Sequence, residues 1–175
     1  MISQRAKYAL RALIALARSH ASGETQLISD IAAQQRIPKK FLEQILLDLK
    51  RHGIVTSRRG KAGGYMLLKN PDMITFGEVL RIVDGPIAPL PCLSRTAYRR
   101  CNDCRDEPGC EVRRVFAQVA AATRDVLDRT TIADSIRRDG HENPLEHDGG
   151  RNSLLTSTLK LGESGILLDD QTSRV

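Results

Sequence analysis

All four cysteines of the 175-residue chain fall within nineteen residues: Cys92, Cys101, Cys104 and Cys110, spaced C-x8-C-x2-C-x5-C. Thiolates are soft metal ligands and strong nucleophiles, so a cluster this tight implies a shared task. Three chemistries fit. An iron–sulfur cluster is held by cysteine thiolates. A structural zinc could use all four, with Cys101-x2-Cys104 as its knuckle. A metal-free thiol switch needs only two cysteines close enough to bridge. Arg95, Arg99, Arg100, Arg105, Arg113 and Arg114 surround the cysteines. Cationic neighbours favour the thiolate form and would offset the charge of a bound cluster. From the residues alone, iron–sulfur and zinc stand level.

What carries this site is a basic chain. The formal charge is +6, and the positive excess lies in residues 1–70. A polyanion is the expected partner of that half. Aromatic content is 3% with no Trp, which argues against single-strand binding by base stacking. No apolar run reaches the roughly 18 residues of a membrane span, and residues 8–17 lack a signal-peptide cleavage pattern. The chain therefore reads as soluble and cytoplasmic, with no membrane partner. In that reducing compartment a cysteine cluster points to metal or redox chemistry rather than a disulfide framework. His20, His52, His141 and His147 are scattered and read as surface residues.

The pattern before the cysteines predicts three helices and a hairpin. Ser3 caps a first helix to about residue 19, with Ala6, Ala9, Leu10, Leu13, Ile14 and Ala17 at helical spacing. Ser29 caps a short second helix with Ile28, Ile31 and Ala32 inward. A third runs over about 38–52, with Pro38 in its first turn and Gly53 at its end. Leu42, Ile45, Leu46 and Leu49 form its buried stripe. Residues 54–58 and 65–68 are short strands around the turn RRGKAGG.

That order describes a winged helix-turn-helix, whose third helix enters the major groove of double-stranded DNA. Gln44 can read adenine, Glu43 can accept from the cytosine amino group, and Lys39 and Lys40 can reach phosphate or guanine. Arg58, Arg59 and Lys61 lie on the wing, where an arginine between glycines suits a narrow minor groove. The combination, more than any one residue, indicates DNA binding.

After the wing, Thr75 caps a fourth helix over 75–83, with Glu78 completing a capping box and Asp84-Gly85-Pro86 stopping it. PIAPLP is a stiff connector into the cysteine loop. A long helix follows over about 111–129. Val112, Val119 and Val126 recur every seven residues, with Val115, Phe116, Ala122 and Thr123 between them. Such a seam suits a two-fold partner helix, hence a homodimer and a pseudo-palindromic operator. The organisation expected is a DNA-binding domain over 1–84, a cysteine loop over 85–110, a dimerisation helix over 111–136 and a disordered tail over 137–175. Leu154 to Leu168 could form a short docking segment within that tail. The fold class is mainly α with a small β-hairpin. No phosphate loop, nucleophile elbow or paired catalytic carboxylates point to an enzyme.

The runs SQRAKYALRALIALA, FLEQILLDLKRHGIV, SRRGKAGGYML and ITFGEVLRIVDGP resemble the winged-helix regulators that include IscR, NsrR, RirA and CymR (the "Rrf-two" family). The resemblance covers residues 1 to about 136, and the wing is its most specific piece. It implies a homodimeric bacterial transcription regulator, often carrying an iron–sulfur cluster. DNA contacts then carry over to Lys40, Phe41, Glu43, Gln44 and Arg59. Family clusters commonly use three cysteines, the last two five residues apart, which matches Cys92, Cys104 and Cys110. Cys101 is the departure. Where some members place a non-cysteine ligand, this chain has Arg113 and Tyr8, neither well suited, so Cys101 is a candidate fourth ligand. A [2Fe-2S] and a [4Fe-4S] cluster both remain open, with zinc, thiol oxidation or binding of a metabolic enzyme as alternatives.

Overall fold

The computed structural model describes residues 2–60 and 63–137. Lys61 of the wing and the expected tail beyond Arg137, with its leucine-rich stretch, lie outside the described residues. Three helices open the chain: α1 (Gln4–Arg18), α2 (Ile28–Gln35) and α3 (Lys39–Arg51). Ser3 caps α1 as expected, its hydroxyl accepting from the Ala6 N–H at 3.0 Å. The expected cap on α2 is displaced. Leu27 precedes the helix without a side-chain cap, and the Ser29 hydroxyl instead donates to Asp30 at 3.1 Å. Burial of Ile31 and Ala32 fixes α2 without a polar cap, because packing outweighs the roughly 1 kcal/mol that a cap contributes.

The stripe of α3 is fully buried: Leu42, Ile45, Leu46 and Leu49 are each 0% exposed. Each such side chain contributes about 1.5–3 kcal/mol relative to exposure. They meet Leu13 and Leu16 of α1 and Ile31 of α2 in one core. Pro38 stands just outside α3 as its N-cap. A two-stranded antiparallel sheet, β1 (Val55–Arg58) and β2 (Gly64–Leu67), pairs Val55 with Leu67 and Ser57 with Tyr65. Gln26 adds a third segment at the edge, exchanging two 2.8 Å backbone hydrogen bonds with Tyr65.

A 3₁₀ turn at Pro71–Met73 leads into α4 (Phe76–Asp84). Thr75 caps it, accepting from the Glu78 N–H at 3.1 Å. Glu78 does not close the expected capping box. Its carboxylate is taken by Lys69 Nζ at 2.8 and 2.9 Å, and a charged donor outcompetes a backbone N–H. The long helix α5 (Glu111–Arg129) follows the cysteine loop as expected, and α6 (Ile132–Arg137) succeeds it. The break is set by reciprocal capping. Thr131 Oγ1 accepts from the Asp134 N–H at 3.1 Å, and Asp134 Oδ2 accepts from the Thr131 N–H at 3.0 Å. Two backbone bonds tie this corner to the start of α4: Phe76 N–H to Thr130 O at 3.0 Å and Ile132 N–H to Ile74 O at 2.8 Å. No helix among the described residues is long and apolar enough to cross a membrane.

Candidate nucleic-acid interface and cysteine loop

The first two turns of α3 present what the core leaves over. Lys39, Lys40, Phe41, Glu43 and Gln44 are exposed, while Leu42, Ile45 and Leu46 face inward. No ion pair or hydrogen bond within the described residues occupies the polar groups of Lys39, Lys40, Glu43 or Gln44, so they are available to an outside partner. Phe41 is 52% exposed and rests edge-on against the Tyr8 ring, the centroids 6.3 Å apart. Tyr8, weighed above as a poor cluster ligand, thus braces a side chain expected to touch DNA. At the other end of α3, Asp48 is ion-paired with Arg5 of α1 and, at 3.3 Å, with Arg51. Lys50 Nζ donates to Ser57 Oγ at 2.6 Å and so links α3 to β1. Arg5 and Lys50 carry no motif signal, and only the fold reveals them as positioning residues for the helix.

The wing owes its shape to its glycines. A Cβ on Gly64 would lie 2.6 Å from the Gln26 carbonyl oxygen, and its φ of +153° disfavours any L side chain. A Cβ on Gly63 would lie 2.7 Å from the Gly60 oxygen. The turn can therefore close onto its own backbone and onto the Gln26 edge only with glycine at both positions. Arg58 and Arg59 are held exposed at its start, their guanidinium groups also without partners among the described residues.

The cysteine loop is braced by polar groups rather than by a core. The Arg99 N–H returns to the Pro91 carbonyl at 3.2 Å. The Tyr98 hydroxyl donates to Glu107 at 2.6 Å, which raises the Tyr98 pKa, chiefly through that hydrogen bond. Arg113 is ion-paired with the same carboxylate at 3.1 Å, out of line for a hydrogen bond. Arg100 donates to the Cys104 and Arg105 carbonyls at 3.0 and 3.3 Å.

No disulfide joins any of the four cysteines. They are brought together unequally. Cys92 is buried and lies near enough to Cys101 to act on its thiol. The Cys101 thiol is pushed above its ordinary range, first by burial and then by Cys92, with Cys104 and Asp103 adding to it. The surrounding arginines were expected to favour the thiolate. At Cys101, burial and neighbouring sulfurs prevail, while Arg100 is spent on the Cys104 and Arg105 carbonyls. Cys110 stands apart as the N-cap of α5, its sulfur accepting from the Arg113 N–H at 3.4 Å. No three His, Cys, Asp or Glu side chains among the described residues meet around a single ion. Four soft thiols suit iron–sulfur chemistry or zinc, as an open loop rather than a closed cage.

Residues 2–138 match the family described as "Iron-dependent Transcriptional regulator", Rrf2. The chain belongs to the Rrf2 family of transcriptional regulators. A Rhodobacter capsulatus relative, named an rrf2-like HTH-type transcriptional regulator, is 49% identical over 138 residues, 78% of this chain and 92% of the relative. The solved structure of CymR, the global cysteine regulator of B. subtilis, is similar with a TM-score of 0.66 at 32% identity, covering 78% of this chain and 96% of that one. That of T. potens IscR is similar with a TM-score of 0.62 at 25% identity, covering 78% and 86%. This Rrf2-family regulator is thus a winged-helix protein of a non-enzymatic class. The seam of its α5 is open to solvent in the single chain: Val112, Val119 and Val126 are 57%, 47% and 63% exposed.

Proposed function

We propose that this cytoplasmic regulator binds a pseudo-palindromic operator as a homodimer, and that its operator affinity is set by an iron–sulfur cluster on the cysteine loop. The observation that carries the reading is positional. Four thiols lie on the one segment joining α4 of the reading head to α5, whose valine seam is exposed. A change in the loop therefore acts on the angle between the head and the dimer helix.

On DNA, Gln44 and Glu43 face base edges, Lys39 and Lys40 meet phosphate or guanine, and Phe41 packs against the groove wall with Tyr8 behind it. Arg58, Arg59 and Lys61 reach the minor groove from the wing. Cys92, Cys104 and Cys110 would hold the cluster, with Cys101 as the fourth ligand. When bound, the cluster supplies sensitivity to redox state, iron or nitric oxide. The Tyr98–Glu107–Arg113 brace orders the loop around the thiols. Cys110 links the loop to the first turn of α5, since its sulfur already accepts from that helix. The description of the family as iron-dependent supports this reading.

A second reading rests on the Cys92–Cys101 contact: a cluster-free regulator controlled through thiol oxidation or zinc, in line with a relative named a cysteine regulator. Iron and acid-labile sulfide, measured per chain without oxygen, separate the two. Operator titrations at fixed salt, before and after cluster removal, should then differ roughly 5- to 150-fold, the range of a 1–3 kcal/mol coupling. Equal affinities would remove the sensing claim and leave DNA binding standing.

A further inference from the structure

A hollow of about 250 Å³ opens between the start of the cysteine loop, α4 and α5, lined by Arg81, Ser94, Arg95, Thr96, Arg124 and Asp128 among others. It adjoins a second of about 280 Å³ that shares Arg95, Arg124 and Asp128. Three guanidiniums and one carboxylate face the first hollow, so two positive charges are uncompensated. Arg81 spends its charge on Asp128, at 2.6 Å. Arg95 and Arg124 have no carboxylate or hydrogen-bond partner among the described residues. Elsewhere in this half of the chain Arg113 pairs with Glu107, Arg129 with Asp125 and Arg137 with Asp72, while Arg99, Arg105 and Arg114 are, like Arg95, without an ion pair among the described residues. What sets Arg95 and Arg124 apart is that they share one hollow.

We infer that this hollow is a receptor site for a small, multiply charged oxyanion, such as a phosphate monoester or a di- or tricarboxylate. Planar guanidinium forks grip such oxygens in pairs, and the Ser94 and Thr96 hydroxyls can add donors. The volume lies below that of drug-sized pockets, about 300–1,000 Å³, which excludes bulky ligands. Arg124 and Asp128 are one turn apart on α5, on the face away from Val112, Val119 and Val126. A partner helix on the valine seam therefore leaves the hollow open. Each wall belongs to a different part: Arg81 to the reading head, Arg95 to the cysteine loop, Arg124 to the long helix. An anion held among them bridges the same three parts that the cysteine loop connects. The site requires no cluster, and its failure would leave the reading above untouched.

The test is calorimetric titration of the full chain with inorganic phosphate and, separately, citrate, at constant ionic strength because operator and anion binding both respond to salt. Saturable binding of at least one probe, at one per chain, is expected. Arg95→Gln and Arg124→Gln should each weaken it by about tenfold or more, as loss of a charge-assisted hydrogen bond does. Arg95 is exposed in a loop, so its variant separates binding from folding. Arg59→Gln, on the wing, should leave the anion affinity unchanged. No saturable binding of either probe, binding that survives both variants, or an equal loss in Arg59→Gln would overturn the site. So would an outcome in which the two variants lose operator affinity while neither anion ever binds, because the arginines would then belong to the DNA backbone.

Discussion

The reading head and the half that follows it are built by different physics. From α1 to α4 the chain closes a core in which Leu13, Ile31, Leu42, Ile45, Leu46, Leu49 and Val79 are 0% exposed. From residue 86 to the end of α5 only Cys92 and Ala120 are buried, and the loop is braced by Tyr98, Glu107, Arg100 and Arg113. A region with a core has one conformation set by its own side chains. A region without one takes its conformation from whatever binds it, whether a partner helix, a cluster or an anion. The proposed recognition surface sits on the half with a core, and most of the proposed input surfaces on the other.

Substitutions should expose that difference. Leu46→Ala, in the head, is expected to cost about 2–5 kcal/mol by urea unfolding, since it opens a cavity under α3. A loss below 1 kcal/mol would mean that the head is not rigidly packed. Gly64→Ala should strain the wing by about 1–3 kcal/mol, and operator affinity should fall with it. An unchanged operator affinity in that variant would detach the wing from DNA binding. Thr75→Ala removes the cap of α4 and should cost about 1 kcal/mol. Thr75→Ser should restore most of that, which a mere loss of packing at the methyl would not permit. Val119→Asp, on the open seam, should change the unfolding of dilute, monomeric protein by under about 0.5 kcal/mol, while sedimentation shows weakened self-association. If Val119→Asp destabilises the dilute monomer as much as Leu46→Ala does, the seam faces this chain's own core and the contrast collapses.

Legibility in the sequence follows the same line. The helical stripes of α1 and α3, the Ser3 and Thr75 caps, the hairpin and the extent of α5 could all be read from spacing, because each depends on neighbours within a turn or two. Misreadings came where a distant group intervened. Ser29 lost its capping role to the packing of Ile31, and Glu78 was taken by Lys69 from across the turn. The α6 cap at Thr131 and Asp134 carries a T-x-x-D signal that could have been found.

The sequence by itself determined the class of molecule: a basic winged helix, four thiols on one loop and a valine seam, all local patterns of charge, spacing and periodicity. Only the tertiary structure decided that Cys92 is buried beside Cys101 while Cys110 caps α5. It alone placed Gly77 of α4 where a Cβ would lie 2.0 Å from the Asp128 carboxylate. It alone set Arg81, Arg95 and Arg124 around one hollow. Gly77 and Asp128, and the three arginines, lie well apart along the chain, and their meeting depends on how helices pack, which no local pattern encodes.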